Sequence, residues 1–179
     1  MINIDIEKLY KAFMNGAIEV MDNYQLLNKL NVFPVSDNDT GSNLYNMMQH
    51  ILLNAEMKYS IKGTLESIAD SAIIGARGNS GLIFAQFFHG ISLVSNDYKE
   101  ITTNDFVSAA YQGFSYAYEA VEEPVEGTIL TTMRVFYESL NASMDDNLSF
   151  VELLEIAHNN VEQAVLKTTD QLLVLKKAA

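Results

Sequence analysis

The sequence predicts one all-α domain, a barrel or bundle of about eight antiparallel amphipathic helices. Three observations carry that reading. Apolar residues recur at the helical period, no segment alternates as a half-buried strand does, and both prolines, Pro34 and Pro124, fall between the periodic stretches. A chain of 179 residues that is 49% hydrophobic fills a single core spanning 1–179, whereas two domains would be cramped.

Taken in order, residues 5–30 carry Ile6, Leu9, Phe13, Ala17, Val20, Met21, Tyr24 and Leu27 on one face and read as one helix. Residues 43–58 follow the period more closely, with Leu44, Met47, Met48, Ile51, Leu52 and Ala55 in register; these methionines read as core. Further helices are predicted at 64–76, 80–94, 104–122, 128–141 and 149–168, each opening near a Thr, Ser or Asn suited to capping. The connections at 31–42, 75–81 and 123–128 are left for chemistry.

A formal charge of −12, with only 11 Lys and Arg and no basic run, excludes nucleic acid as a natural partner. No cysteine is present, so disulfide, thiolate and Cys-zinc chemistry are excluded, and a reducing, cytoplasmic setting is the default expectation. The start, Met1 to Phe13, intersperses acids with apolar residues, and no later window is long and apolar enough for stable membrane insertion. The same negative charge would repel a nucleotide unless metal ions and backbone amides compensate locally.

Three loop segments hold candidate chemistry. In the first, Asn31 to Asn43, Asp37 and Asp39 stand two apart beside Gly41, a spacing that converges on one cation in a turn and diverges on a helix. The plainer alternative is a capped turn. An EF-hand is rejected, because Ser42 and Met48 occupy its glycine and glutamate positions. In the second, Gly75-Ala76-Arg77-Gly78-Asn79-Ser80-Gly81 leads into an apolar helix and offers amides to an anion, or else permits close helix packing. The third, Glu126-Gly127-Thr128-Ile129, pairs a glycine with a hydroxyl at a helix start, which capping alone would explain. The two arginines, Arg77 and Arg134, lie in or just beyond these segments and suit either phosphate or acids on neighbouring helices. His50, His89 and His158 show no ligand spacing.

Together these motifs, in this order, resemble the N-terminal domain of the bacterial fatty acid kinase ATP-binding subunit, which is similar to the L subunit (nucleotide domain) of dihydroxyacetone kinase. The resemblance extends to the closing segment from Thr168 to Ala178, where Thr169 and Leu173 replace common prolines. The family pattern Pro-Asp-Gly-Asp-Thr-Gly-Thr-Asn stands here as Ser36-Asp37-Asn38-Asp39-Thr40-Gly41-Ser42-Asn43. Both aspartates are kept, and Asn38 in place of glycine calls for a left-handed backbone, which asparagine tolerates.

The resemblance implies ATP and two Mg2+ ions at one end of a helical barrel. Asp37 and Asp39 become the catalytic residues and metal ligands, with Asn31 as a further ligand. It places Thr40, Gly41, Ser42, Asn43, Gly78, Asn79, Ser80 and Gly81 around the phosphates, and Thr128 and Ile129 near the nucleoside. The implied activity is an ATP-dependent kinase that phosphorylates a fatty acid presented by a separate fatty-acid-binding partner protein. The family's kinase subunit continues beyond this length, so the chain reads as a fragment that is inactive by itself; a homodimer is an open option. A dihydroxyacetone kinase nucleotide subunit is the alternative enzyme, and a nucleotide-binding adaptor without turnover is the alternative of another class.

Overall fold

The computed structural model describes residues 3–32, 37–94, 97–144 and 148–171, with side chains up to residue 168. Pro34 and Ser36 of the first motif, the side chain of Thr169 and the closing segment 172–179 lie outside the described residues. Eight helices are present among the described residues: α1 (Ile6–Asp22), α2 (Tyr24–Leu30), α3 (Thr40–Asn54), α4 (Ile61–Gly75), α5 (Gly78–Ser92), α6 (Thr103–Glu119), α7 (Ile129–Ala142) and α8 (Phe150–Gln171). The fold is all-α, as the periodicity predicts.

Two local features depart from that prediction. The stretch 5–30 is two helices, because α1 ends at Asn23, whose N–H donates to Glu19 O and Met21 O while α2 starts at the next residue. A two-stranded antiparallel ladder is also present: β1 (Asn3–Asp5) pairs with β2 (Glu100–Thr102) in the register Asn3 to Thr102, Ile4 to Ile101 and Asp5 to Glu100. Ile6 N donates to Lys99 O at 2.9 Å and continues the pairing into α1.

Side-chain caps start five of the helices. Asp5 accepts from Lys8 N, Ser60 from Gly63 N, Thr102 from Asp105 N, Thr128 from Leu130 N and Ser149 from Glu152 N. Each satisfies an amide that a helix cannot pair internally, and loss of such a cap costs about 1 kcal/mol.

Packing follows chain order. The third helix lies against α1, α2, α4 and α5, and the contacts then run α4 to α5, α5 to α6, α6 to α7 and α7 to α8. Met47, Met48, Ile51, Ile68 and Ala72 form one core cluster, confirming those methionines as packing residues. Leu65, Phe87, Ile91, Ile101, Leu130 and Met133 belong to a second, and Val107, Leu140 and Leu153 to a third under α8. Each fully buried side chain of this size contributes about 1.5–3 kcal/mol. At the α5/α6 crossing the backbones touch: a Cβ on Gly90 would lie 2.4 Å from Gln112 O, and one on Gly113 would lie 2.9 Å from Phe87 O. Among the described residues no helix is long and apolar enough to cross a membrane.

Candidate functional site

The third helix begins earlier than the periodicity suggests, at Thr40, so Thr40-Gly41-Ser42-Asn43 form its first turn and Asp39 its N-cap. Asn38 sits at φ 57°, the left-handed conformation expected for a residue in the glycine position. That turn leaves Asp37 and Asp39 exposed on the loop leading into the helix. Asp37 Oδ1 accepts from Asn31 Nδ2 at 2.6 Å, and Asn31 is itself buried at 8% exposure. Asp39 makes no side-chain cap bond. The capped-turn alternative, in which both carboxylates bond backbone amides, therefore fails for Asp39.

Close approach sets the position of this turn. A Cβ on Gly41 would stand 1.9 Å from Tyr24 O, so only glycine lets α3 lie against the start of α2. Asn28 of α2 then brackets Ser42, its Oδ1 accepting from Ser42 N at 3.0 Å and its Nδ2 donating to Ser42 Oγ at 2.9 Å. Gly78 opens α5 at φ 60°, and a Cβ there would fall 2.3 Å from Asn43 Nδ2. The two glycine-containing helix starts are thus packed together by Asn43 and Gly78.

Between them and the start of α7 lies one open cavity of about 820 Å³. Its wall includes Asn31, Asp37, Asp39, Thr40, Gly78, Asn79, Ser80, Thr128 and Ile129, gathered from three segments far apart in sequence. Gly41, Ser42, Asn43 and Gly81 stand behind that wall: Gly41 against Tyr24, Ser42 on Asn28, Asn43 on Gly78, and Gly81 against Ala76. Leu27, Leu44, Ile83, Phe84 and Leu130 supply an apolar side, and the exposed Leu30 and Leu82 reach its mouth. The volume lies within the range of about 300–1,000 Å³ usual for small-molecule sites.

The charge around this cavity is one-sided. Asp37, Asp39, Glu122 and Glu123 line it, and no Lys, Arg or His does so among the described residues. Neither arginine reaches in. Arg77 folds back, its Nη1 donating to Ile74 O and Ala76 O at the end of α4. Arg134 bridges acids, its Nη2 meeting Glu126 Oε2 at 2.8 Å and its Nη1 meeting Glu138 Oε2 at 3.0 Å. An anion entering this cavity would meet amides and hydroxyls and would need a cation to offset the carboxylates. One feature fits a phosphate group: Ser80 Oγ, on the cavity wall, is buried without a hydrogen-bond partner, whereas the place a Gly78 Cβ would take is filled by the Asn43 carboxamide. For a cation, no group of three or more His, Cys, Asp or Glu exists among the described residues. Two aspartates and an amide are an incomplete shell, the kind that Mg2+ completes with water and phosphate oxygens.

The Glu126–Arg134 pair holds the loop before α7. The guanidinium hydrogen bond and that from Thr131 hold the Glu126 carboxyl below its ordinary value of 4.5, and the carboxylates push Arg134 up. A depressed carboxyl contributes stability that is fully present above pH 4.5 and is lost as pH falls through the lower folded-state value. Both partners are partly exposed, so solvent screening limits the pair to about 1 kcal/mol. Arg134→Ala is expected to lower stability by at most that amount near neutral pH, in urea unfolding. The difference from wild type should close in acid; a difference independent of pH would refute the assignment.

Sequence reasoning did not single out Asn28, Glu122 or Glu123. The two glutamates read as ordinary solvated charge, and Asn28 as a polar position on an amphipathic helix; only the three-dimensional meeting of α2, α3 and the 120–125 loop gives them a place at the site.

Comparison with known proteins adds ancestry. A family model described as DAK2 domain matches residues 34–179. Protein YloV of Bacillus subtilis (strain 168) is 31% identical over 176 residues, covering 97% of this chain and 32% of YloV. An uncharacterized protein of Staphylococcus saprophyticus is 30% identical over 176 residues, with 97% and 32% coverage. An uncharacterized protein of Mycoplasma genitalium is 31% identical over 186 residues, with 98% and 33% coverage. The chain spans about one third of the length of the curated relatives it matches.

Proposed function

The chain belongs to the DAK2 domain family, and on that premise we propose that it binds MgATP and serves as the phosphoryl-donor domain of a fatty acid kinase. The observation that carries this reading is the single cavity in which Asp37, Asp39 and Thr40 meet Gly78, Asn79, Ser80, Thr128 and Ile129. A cavity lined by four carboxylates and, among the described residues, by no basic side chain suits a nucleotide only as its metal complex, which agrees with the charge argument from the sequence.

In this reading Asp37 and Asp39 hold the cation, with Asn31 beside them to orient Asp37. Bound there, Mg2+ would neutralise phosphate charge and polarise the transferring group. The amides at the start of α3 and the unpartnered Ser80 hydroxyl donate to phosphate oxygens. Thr128, Ile129 and the apolar side take the nucleoside and exclude water. The acceptor is a fatty acid held by a separate lipid-binding protein, which meets the apolar mouth at Leu30 and Leu82. A carboxylic acid, with a pKa of about 4–5, is already ionised near neutrality, so the chain needs no general base for this transfer.

Because the chain covers about a third of its relatives, binding and turnover separate experimentally. Calorimetry is expected to show nucleotide binding with Mg2+ and none in excess chelator; no binding with Mg2+ present overturns the proposal. Incubated with ATP, Mg2+ and a fatty-acid-loaded partner, these 179 residues should form no acyl phosphate, whereas a full-length subunit should. Equal turnover by both would place the acceptor site within this chain. Activity only with a dihydroxyacetone-binding subunit would transfer the assignment to that kinase, and binding without any turnover would favour the adaptor.

A further inference from the structure

We infer that Asn28 is a positioning residue: it caps α3 from outside the helix and so keeps the Asp39 carboxylate free for a cation, an inference that rests on the proposed function for the cation alone. Aspartate at an N-cap ordinarily turns its carboxylate onto the N2 or N3 amide. Asp5, Ser60, Thr102 and Thr128 all cap their own helices in this way. Asp39 does not, and its backbone, at φ −113° and ψ −8°, lies away from the extended conformation that those four adopt.

The reason is on α2. Ser42 N is the N3 amide of α3, the one an N-cap side chain would take, and Asn28 Oδ1 already accepts from it at 3.0 Å. Asn28 Nδ2 fixes the side chain by donating to Ser42 Oγ at 2.9 Å. A carboxamide fits this pair of bonds because it carries an acceptor and a donor on one rigid plane. Gly41 makes the arrangement reachable, since a Cβ there would crowd Asn28 Oδ1 to 2.9 Å as well as strike Tyr24 O. The amides of Thr40 and Gly41, ahead of the capped one, have no acceptor among the described residues. The helix start is therefore held while its N-cap carboxylate and first two amides stay available.

Removing Asn28 should not unravel α3. Asp39 is a competent cap three residues before Ser42, so in Asn28→Ala it should rotate onto Ser42 N and leave the cavity wall. The expected outcome is a cation affinity lowered by about 10–100-fold, as for other residues that orient metal ligands, with the fold kept. Titration with Mn2+ in the presence of ATP, followed by electron paramagnetic resonance, reads that loss. Amide exchange at Ser42, measured without metal, reads the cap: protection should persist in Asn28→Ala and in Asp39→Ala and vanish in the double variant. Should Asn28→Ala fail to fold, Asn28→Asp retains an acceptor and should keep Ser42 protected in the Asp39→Ala background. Mn2+ affinity in Asn28→Ala equal to wild type overturns the inference, as does Ser42 protection in the double variant or its loss in Asn28→Asp/Asp39→Ala. Absence of Mn2+ binding by the wild type overturns the proposed function and the cation half of this inference, while the exchange arm still decides the cap.

Discussion

Asp37→Ala and Asp39→Ala are each expected to weaken MgATP binding by at least about 100-fold, since loss of residues that merely orient metal ligands already costs about 10–100-fold. Both side chains are exposed and outside the core, so circular dichroism should show the helices intact in each variant. The two should differ in stability. Asp37 accepts from the buried Asn31, so its removal costs that hydrogen bond, about 0.5–1.5 kcal/mol. Asp39 makes no cap bond, and its loss should cost little. Calorimetric titration beside urea unfolding measures both. Unchanged affinity in both variants would return the loop to a plain turn.

Gly90→Ala is expected to be among the most damaging single-methyl changes in the fold. The added Cβ would lie 2.4 Å from Gln112 O, 2.6 Å from Gln112 C and 2.7 Å from Gly113 Cα. Each of these is backbone, so relief requires moving α5 away from α6. Overpacking of this kind costs about 1–3 kcal/mol, and the upper end applies where no side chain can yield. Against it stands the gain of about 1 kcal/mol for alanine over glycine inside a helix. The net loss of about 2 kcal/mol should lower the melting temperature by roughly 4–8 °C for a domain of this size. Gly16 is the internal control: nothing lies within 4 Å of its added Cβ. Gly16→Ala should therefore stabilise α1 by about 0.5–1 kcal/mol. Thermal unfolding of the pair separates crowding from propensity, and a Gly90→Ala as stable as wild type would show that the crossing can open.

The helices were legible because each buries one face of a regular period: Met47, Met48 and Ile51 are core in the structure as their spacing predicts. The break at Asn23 was not, because it contains neither glycine nor proline and the apolar face continues through it. Nor was the ladder, since three residues are too few to show alternation and their partners lie about a hundred positions away. At the site, glycines announced where backbones approach closely, and Asn38 announced its left-handed turn. Which alternative each arginine takes depends on neighbours that spacing does not reveal. Arg134 faces Glu126 and Glu138, and Arg77 faces the carbonyls ending α4. Asn28 was hidden for the same reason, its partner Ser42 being fourteen residues away across a turn.

The β1–β2 ladder also has a consequence during synthesis of the chain. Asn3 and Glu100 are joined across 97 positions, so the first strand is made long before its mate. At ribosomal elongation of about 5–20 residues per second, that wait is on the order of 5–20 s. Helices α1 to α5 emerge within this interval, and the strand that leads into α1 has no edge to join until the residues just ahead of α6 appear. Three residues with Asn3 and Asp5 at their ends make a short, polar edge, a poor template for stray pairing with other nascent chains. The newborn chain can thus leave this seam open until the second half of the domain closes it.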